Sequence, residues 1–339
     1  MLKGALGVGV VATVLASTGP VGSAAQGLTG PFDVKAATGG IAGAIGGAPR
    51  ARVAIGIAPA VRPIEFAPWH GTSFGGYMAP KWGAACAAKR ASCFVGADGG
   101  VDLVFHFNAA MVVEKEWKES GTNAVVVSAS FGAFGSGPYA DALSDPSRFD
   151  RMTRETLSAL EAQLPKDPSR PRLHPRRIGL VAWSAGYAAV SKILGVDRYY
   201  AMTDSVILLD GLHASYKYPD TKTGGQGDEK VDVRGLSNFT RFAKDAKDGK
   251  KTLVITHSAI VPPEYASTTE ATSAVLREIG ARRTPVDREP CERDMVLLSR
   301  VDDRGLHVRG FDGKSQRTHM DHLHLVGPMV KQYVAPRWR

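Results

Sequence analysis

Five short runs along the chain carry apolar residues at consecutive rather than alternate positions: "VDLVFHF" (101–107), "NAVVVSAS" (123–130), "IGLVAW" (178–183), "SVILLD" (205–210) and "KTLVITH" (251–257). A strand covered on both faces needs no polar side, so runs of this kind predict the strands of a mostly parallel sheet. Between them the period changes: "MVVEKEWKES", "FDRMTRETLSALEAQL", "AGYAAVSKIL" and "LSNFTRFAKDAKDG" are helical, and in the second Met152, Leu157, Leu160 and Leu164 approximate one apolar stripe. Buried strand alternating with amphipathic helix predicts an α/β fold whose sheet is flanked by helices on both faces. Past residue 257 the pattern predicts a helix near "STTEATSAVLREIG", paired strands "MVLLSRV" and "LHVRGF" around "DDRG", and a last helix in "DHLHLVGPMVKQYV".

The N-terminal part reads differently. Lys3 precedes the uncharged run "GALGVGVVATVLAST", Gly19 and Pro20 break it, and "SAAQ" at 23–26 offers small residues for cleavage, the layout of a signal peptide over residues 1–25. The run is short and glycine-rich beside the roughly 20 apolar residues of a membrane span. Residues 26–50 are mostly small, with little to bury against the entropy of ordering them, and are expected to form a flexible lead-in. A single domain is then expected over 51–339. In it "RVAIGIAPAVRPI" is strand-like, the stretch from Trp69 to Phe94 looks irregular, and the polar run 217–235 is expected as a surface excursion.

Composition and charge add limits. With 44% apolar and 22% charged residues over 339 positions, the chain is globular rather than disordered. Its formal charge of +9 favours association with anionic surfaces such as cell-wall polymers or lipid headgroups, or acidic substrates. Nucleic acid is not the expected partner, because the basic residues are scattered without interleaved aromatics. Cys86 and Cys93 lie close together in "ACAAKRASC", where an oxidising compartment would staple a small loop; Cys291 is the odd one by count. Three thiols in an intracellular protein is the competing reading. No His or Cys spacing suggests a metal, and no cofactor is implied.

Ligands of open α/β sheets bind beyond the carboxyl ends of the strands, which here read "HFNAAM", "SASFGAFGSG", "WSAGY", "DGLHASY" and "THSAIVPP". Ser184 sits where an apolar strand must turn sharply into a helix, with small neighbours Ala182, Ala185 and Gly186. Such a turn strains the serine backbone and thrusts its oxygen above the sheet. The Ala185 N–H, at the start of the helix, points where an oxyanion would form.

These residues resemble the nucleophile elbow of the α/β-hydrolase superfamily, G-x-S-x-G, with Ala182 in place of the first glycine. The resemblance implies a second oxyanion donor from the loop after an earlier strand, where "HFNAA" offers the N–H of Asn108 or Ala109. It also implies the order nucleophile, acid, histidine. Asp210, at the end of the next strand, is the candidate acid, since "THSAI" after the following strand holds no carboxylate; its competing role is that of a turn aspartate. "GKSQRTHMDHLHLV" supplies the histidine, with His319 expected on a loop and favoured as base, His322 second, and His324 within a helix. Trp183, His106 and His213 are candidate substrate contacts.

The implied activity is that of an exported serine hydrolase acting on a small-molecule or cell-envelope acyl substrate, an ester first and an amide second, through an acyl-enzyme. The alternatives are a catalytically decayed binding module of the same fold and a sugar- or cell-wall-binding protein that relies on positive charge.

Overall fold

A computed structural model of the chain describes residues 73–79, 94–132, 135–218 and 224–338. The expected leader, the lead-in, the strand-like run at 52–64 and the Cys86–Cys93 pair lie outside the described residues. Among the described residues no helix is long and apolar enough to cross a membrane.

The strands are β1 (Ser73–Ala79), β2 (Gly100–Phe107), β3 (Ala124–Ser130), β4 (His174–Trp183), β5 (Thr203–Leu209), β6 (Thr252–His257), β7 (Thr284–Pro290), β8 (Val296–Asp303) and β9 (Leu306–Phe311). They form one sheet in the order β1-β3-β2-β4-β5-β6-β9-β8-β7. β3, β2, β4, β5, β6 and β9 run parallel; β1 is antiparallel at one edge, and β8 and β7 fold back antiparallel at the other. All five expected strands are present, with β4 starting four residues before its apolar run because His174–Arg177 still pair with the start of β2. β1, in a stretch expected to be irregular, pairs along its whole length with β3. β7 was hidden by its polar composition, "TPVDREP", which suits an exposed edge with prolines rather than a buried strand.

Helices α1 (Glu114–Glu119), α2 (Gly137–Ala142), α3 (Ser147–Glu161), α4 (Tyr187–Leu194), α5 (Asp197–Met202), α6 (Ser237–Lys247), α7 (Thr268–Glu278), α8 (Gln316–His324) and α9 (Val326–Met329) connect and cover the strands. α1 packs against α9, while α4 packs with α2 and α6, and α6 with α7. β2 and β3 are buried along nearly their full lengths, which is why their sequences carry no polar face. Each large side chain removed from water in this way stabilises the fold by about 1.5–3 kcal/mol. The excursion at 217–235 is pinned to the body by an isolated bridge between Tyr216 and Val231 and carries short 3-10 turns at Asp228–Lys230 and Val233–Leu236.

Two features of this topology position the candidate site. From β2 the chain crosses to β3 on one side, then to β4 on the other, so the sheet's switch point lies between β2 and β4. A crevice opens above the carboxyl ends of such a pair. The opposite end of the same strands is closed by charge: Asp102 of β2, 1% exposed, accepts paired hydrogen bonds from Arg176 and Arg177 of β4. Arg177 in turn lies 5.2 Å over the ring of Trp338, whose Nε1 donates to Asp204 at 2.6 Å.

Gly179 of β4 leaves room for that indole, since a Cβ there would come within 3.1 Å of it. Trp338→Ala therefore opens a cavity against the sheet, and we expect a loss of about 3 kcal/mol or more in urea unfolding.

Candidate active site

Three strand ends are pressed together at the switch point. Ser184 follows β4 with φ +50°, a left-handed conformation that costs a non-glycine residue about 1–3 kcal/mol and persists only where its surroundings impose it. The surroundings do so here. A 3-10 turn, Ser184–Gly186, starts α4 at once, and Gly186 lies so near the end of β2 that a Cβ would meet the Phe107 carbonyl oxygen at 2.4 Å. From the other side Gly211, after β5, is close enough that its Cβ would stand 2.9 Å from the Ser184 backbone N and O. Ala182, where the elbow pattern has glycine, is fully buried and paired between Phe107 and Leu208.

Asp210 follows β5 with φ +43° and is 1% exposed. Its Oδ1 accepts from the Ser258 N–H at 2.9 Å and the Thr268 hydroxyl at 2.6 Å, and its Oδ2 from His319 Nδ1 at 2.7 Å. Burial pushes the carboxyl pKa up, but the nearby His322 and the hydrogen bonds from His319 and Thr268 outweigh it and hold the group well below the usual carboxylate range. A carboxylate only accepts, so Nδ1 of His319 carries the proton and Nε2 presents its lone pair. Trp183, the residue before Ser184, also holds His319: its ring lies tilted at 34° to the imidazole with centroids 4.8 Å apart, and its Nε1 donates to the His319 backbone carbonyl at 2.9 Å.

Several expectations are corrected by this arrangement. His319 was expected on a loop; it lies in the first turn of α8, capped by Ser315, because the helix begins five residues before the apolar run that announced it. Trp183, a candidate substrate contact, packs its ring against the histidine and donates its N–H to the histidine's backbone carbonyl. His322 is fully buried behind Asp210, where its Nδ1 faces the Thr256 hydroxyl at 2.8 Å. The same hydroxyl accepts from the Asp210 N–H at 3.1 Å. His106 is a core residue: it is fully buried, its Nδ1 accepts from Trp117 Nε1 at 3.0 Å, and no described contact joins it to Ser184, Asp210 or His319. His324 pairs with Glu116 of α1.

The expected oxyanion donors separate as well. Asn108 and Ala109 are consecutive left-handed residues at φ +73° and +58°. The Asn108 N–H is taken by the Ala129 carbonyl of β3 at 3.0 Å, so it is not a donor for a ligand; its side-chain amide instead ties the loop to the Trp183 carbonyl at 3.2 Å. The Ala109 and Ala185 N–H groups have no acceptor among the described residues, and Ala185 lies in the first helical turn, whose amides have no intrahelical partner.

Ser184 is buried, and neither its Oγ nor His319 Nε2 has a hydrogen-bond partner among the described residues. The hydroxyl thus lies under cover rather than open to solvent as the turn alone suggested. A cavity of about 310 Å³ is lined by Thr318 and Asp321 of α8, Asp312, and Arg293–Val296 at the start of β8. Its charges are partly matched, Arg293 to Asp321 at 3.0 Å and Arg288 to Asp312 at 2.8 Å. Among the described residues no group of three His, Cys, Asp or Glu side chains could hold a metal ion.

Sequence reasoning missed Thr268 and Ser258, which hold the carboxylate. The run "STTE" is legible as a capping box, formed here by Ser267 and Glu270, and so locates the start of α7. Nothing local says that the hydroxyl at its first helical position meets Asp210. No protein-family model matches the chain, and no curated protein is similar enough to it to indicate kinship.

Two outcomes follow from the packing. Gly186→Ala drives a methyl into the Phe107 carbonyl and is expected to lower the urea midpoint by the equivalent of about 1–3 kcal/mol or to prevent folding. Burial also drives the pKa values of His106, His213, His257 and His322 down to about 3, 4, 3 and 4. An unfolded imidazole takes its proton near pH 6.5, so the unfolded chain binds more protons as pH falls below that value. Stability is therefore whole above pH 6.5 and is lost toward pH 4, by about 1.4 kcal/mol per pH unit for each such proton. Urea unfolding at pH 7.5, 6 and 5 measures this, and a flat profile contradicts it.

Proposed function

We propose that this protein is a serine hydrolase of the α/β-hydrolase type, cleaving a carboxylic ester, with an amide as the second substrate class. The observation that carries the reading is the 2.7 Å hydrogen bond between Asp210 and His319, made beside a strained Ser184 at the switch point of the sheet. The strand-end order nucleophile, acid, histidine supports it.

The chemistry follows from the proton positions. Ser184 Oγ attacks the carbonyl carbon while its proton passes to His319 Nε2, and Asp210 stabilises the imidazolium that results. The Ala109 and Ala185 N–H groups receive the developing oxyanion. Collapse breaks the bond to the leaving oxygen, which takes the proton from Nε2, and the acyl group stays on Ser184. Water, deprotonated by the same nitrogen, then attacks the acyl carbon and restores the serine. Approach of a substrate requires the cover over Ser184 to part.

The leader-like N-terminus and the net positive charge support export and work at an anionic surface, with a cell-envelope acyl compound as substrate. One observation favours a second reading, a non-catalytic binding module of the same fold: the Ser184 hydroxyl makes no hydrogen bond to His319. Hydrogen bonds of this kind often tighten only in the substrate complex.

A fluorophosphonate probe separates the two readings. We expect covalent labelling at Ser184, lost in Ser184→Ala and His319→Ala, and ester turnover reduced by about 10⁴-fold in Asp210→Asn, which removes the charge while keeping the shape. An unlabelled wild-type serine in folded protein ends the hydrolase reading.

A further inference from the structure

Five histidines are buried among the described residues, and four of them engage one ring nitrogen: His106 with Trp117, His257 with Thr269, His319 with Asp210 and His322 with Thr256. His213 is the exception. It is 8% exposed, and both of its ring nitrogens lack a hydrogen-bond partner among the described residues. A neutral imidazole has one N–H and one lone pair, and leaving a buried polar group unmet costs about 1–3 kcal/mol.

The position of this ring is informative. His213 follows β5, three residues after Asp210, near enough for the carboxylate's charge to act on it. It stands between two aromatic walls, Tyr187 at 5.4 Å and Tyr265 at 5.6 Å, both approaching edge-on. Tyr187 opens α4, three residues past Ser184; Tyr265 lies just before the Ser267–Thr268 segment that holds Asp210. The walls are supplied by the same segments that carry the nucleophile and the carboxylate clamp.

We propose that His213 is a specificity-determining contact that hydrogen-bonds a neutral oxygen of the substrate, a keto, amide or hydroxyl group close to the scissile carbonyl, so that the preferred substrates are oxygen-bearing esters rather than plain alkyl esters. This rests on the hydrolase reading above. A neutral ring exerts no strong pull on an anion, whereas an uncharged oxygen can meet its N–H, and the aromatic walls suit the short carbon segment that carries that oxygen. Discrimination of this type is steep, because a substrate without the oxygen leaves the buried nitrogen unpaired.

The test compares kcat/KM for two matched pairs, p-nitrophenyl 4-oxopentanoate against p-nitrophenyl pentanoate for the acyl side, and 2-oxobutyl acetate against butyl acetate for the leaving side. Comparing wild type with His213→Phe cancels the intrinsic reactivity of each ester. We expect the preference for the oxo member of one pair to fall about tenfold or more in His213→Phe, which keeps the aromatic volume, and to return in large part in His213→Gln, which keeps a donor and an acceptor. Ratios unchanged in His213→Phe for both pairs, or equal losses on both members of each pair, overturn the inference and leave a water-satisfied or purely structural histidine. Labelling of Ser184 by the fluorophosphonate probe is scored in every variant. If wild type is labelled and the ratios do not move, only this inference falls; if wild type is neither labelled nor active on any ester, the hydrolase reading falls and takes it along.

Discussion

A carboxylate can stay charged in the interior only if its lone pairs are met, and Asp210 meets this condition by drawing on four parts of the chain. Its own strand end supplies the backbone, the segment after β6 an N–H, the first turn of α7 a hydroxyl and the first turn of α8 an imidazole. An unmatched buried charge would cost many kcal/mol, so these segments must arrive together. The carboxyl-terminal half of the sheet, α7 and α8 are thereby bound to one side chain. The same side chain selects the histidine tautomer whose outer nitrogen can accept a proton.

Four of the eight described non-glycine residues with positive φ gather at the same place. Asn108, Ala109, Ser184 and Asp210 are non-glycine residues with positive φ, and all four follow the carboxyl ends of the adjacent strands β2, β4 and β5. Flanking them are Gly186 and Gly211, each pressed against backbone that admits no Cβ. The glycines at these positions serve close approach, and the strained residues carry the polar groups. This division explains why an alanine is accommodated at 182, inside the strand, where no unusual dihedral is needed.

The parallel core was legible because burial on both faces leaves a sequence signature, continuous apolar runs, that needs no knowledge of the neighbours. β7 was not legible, since an exposed edge strand such as "TPVDREP" has no apolar face to reveal. At the site, Ser184 and Asp210 were readable from their local chain context of strand, turn and glycine. His319 was favoured over His322 on the expectation of a loop, and the helix removes that reason; the tertiary placement of Asp210 and Thr256 is what separates them. The N–H of Asn108, expected to be free for an oxyanion, is taken within the sheet, and Trp183, expected to contact substrate, contacts His319. What each does depends on partners 21 and 136 residues away along the chain, the Ala129 carbonyl and the His319 carbonyl.

Because His319 is carried on a helix, its aim is inherited from how that rod is docked rather than from the wandering of a connecting segment. α8 is anchored along its length by Arg293 on Asp321, Thr256 on His322 and Glu116 on His324, the last reaching across to α1. A disturbance at any of these fastenings swings the imidazole as part of a rigid lever. The orientation of the His319 imidazole is therefore tied to contacts as distant along the chain as Glu116 of α1.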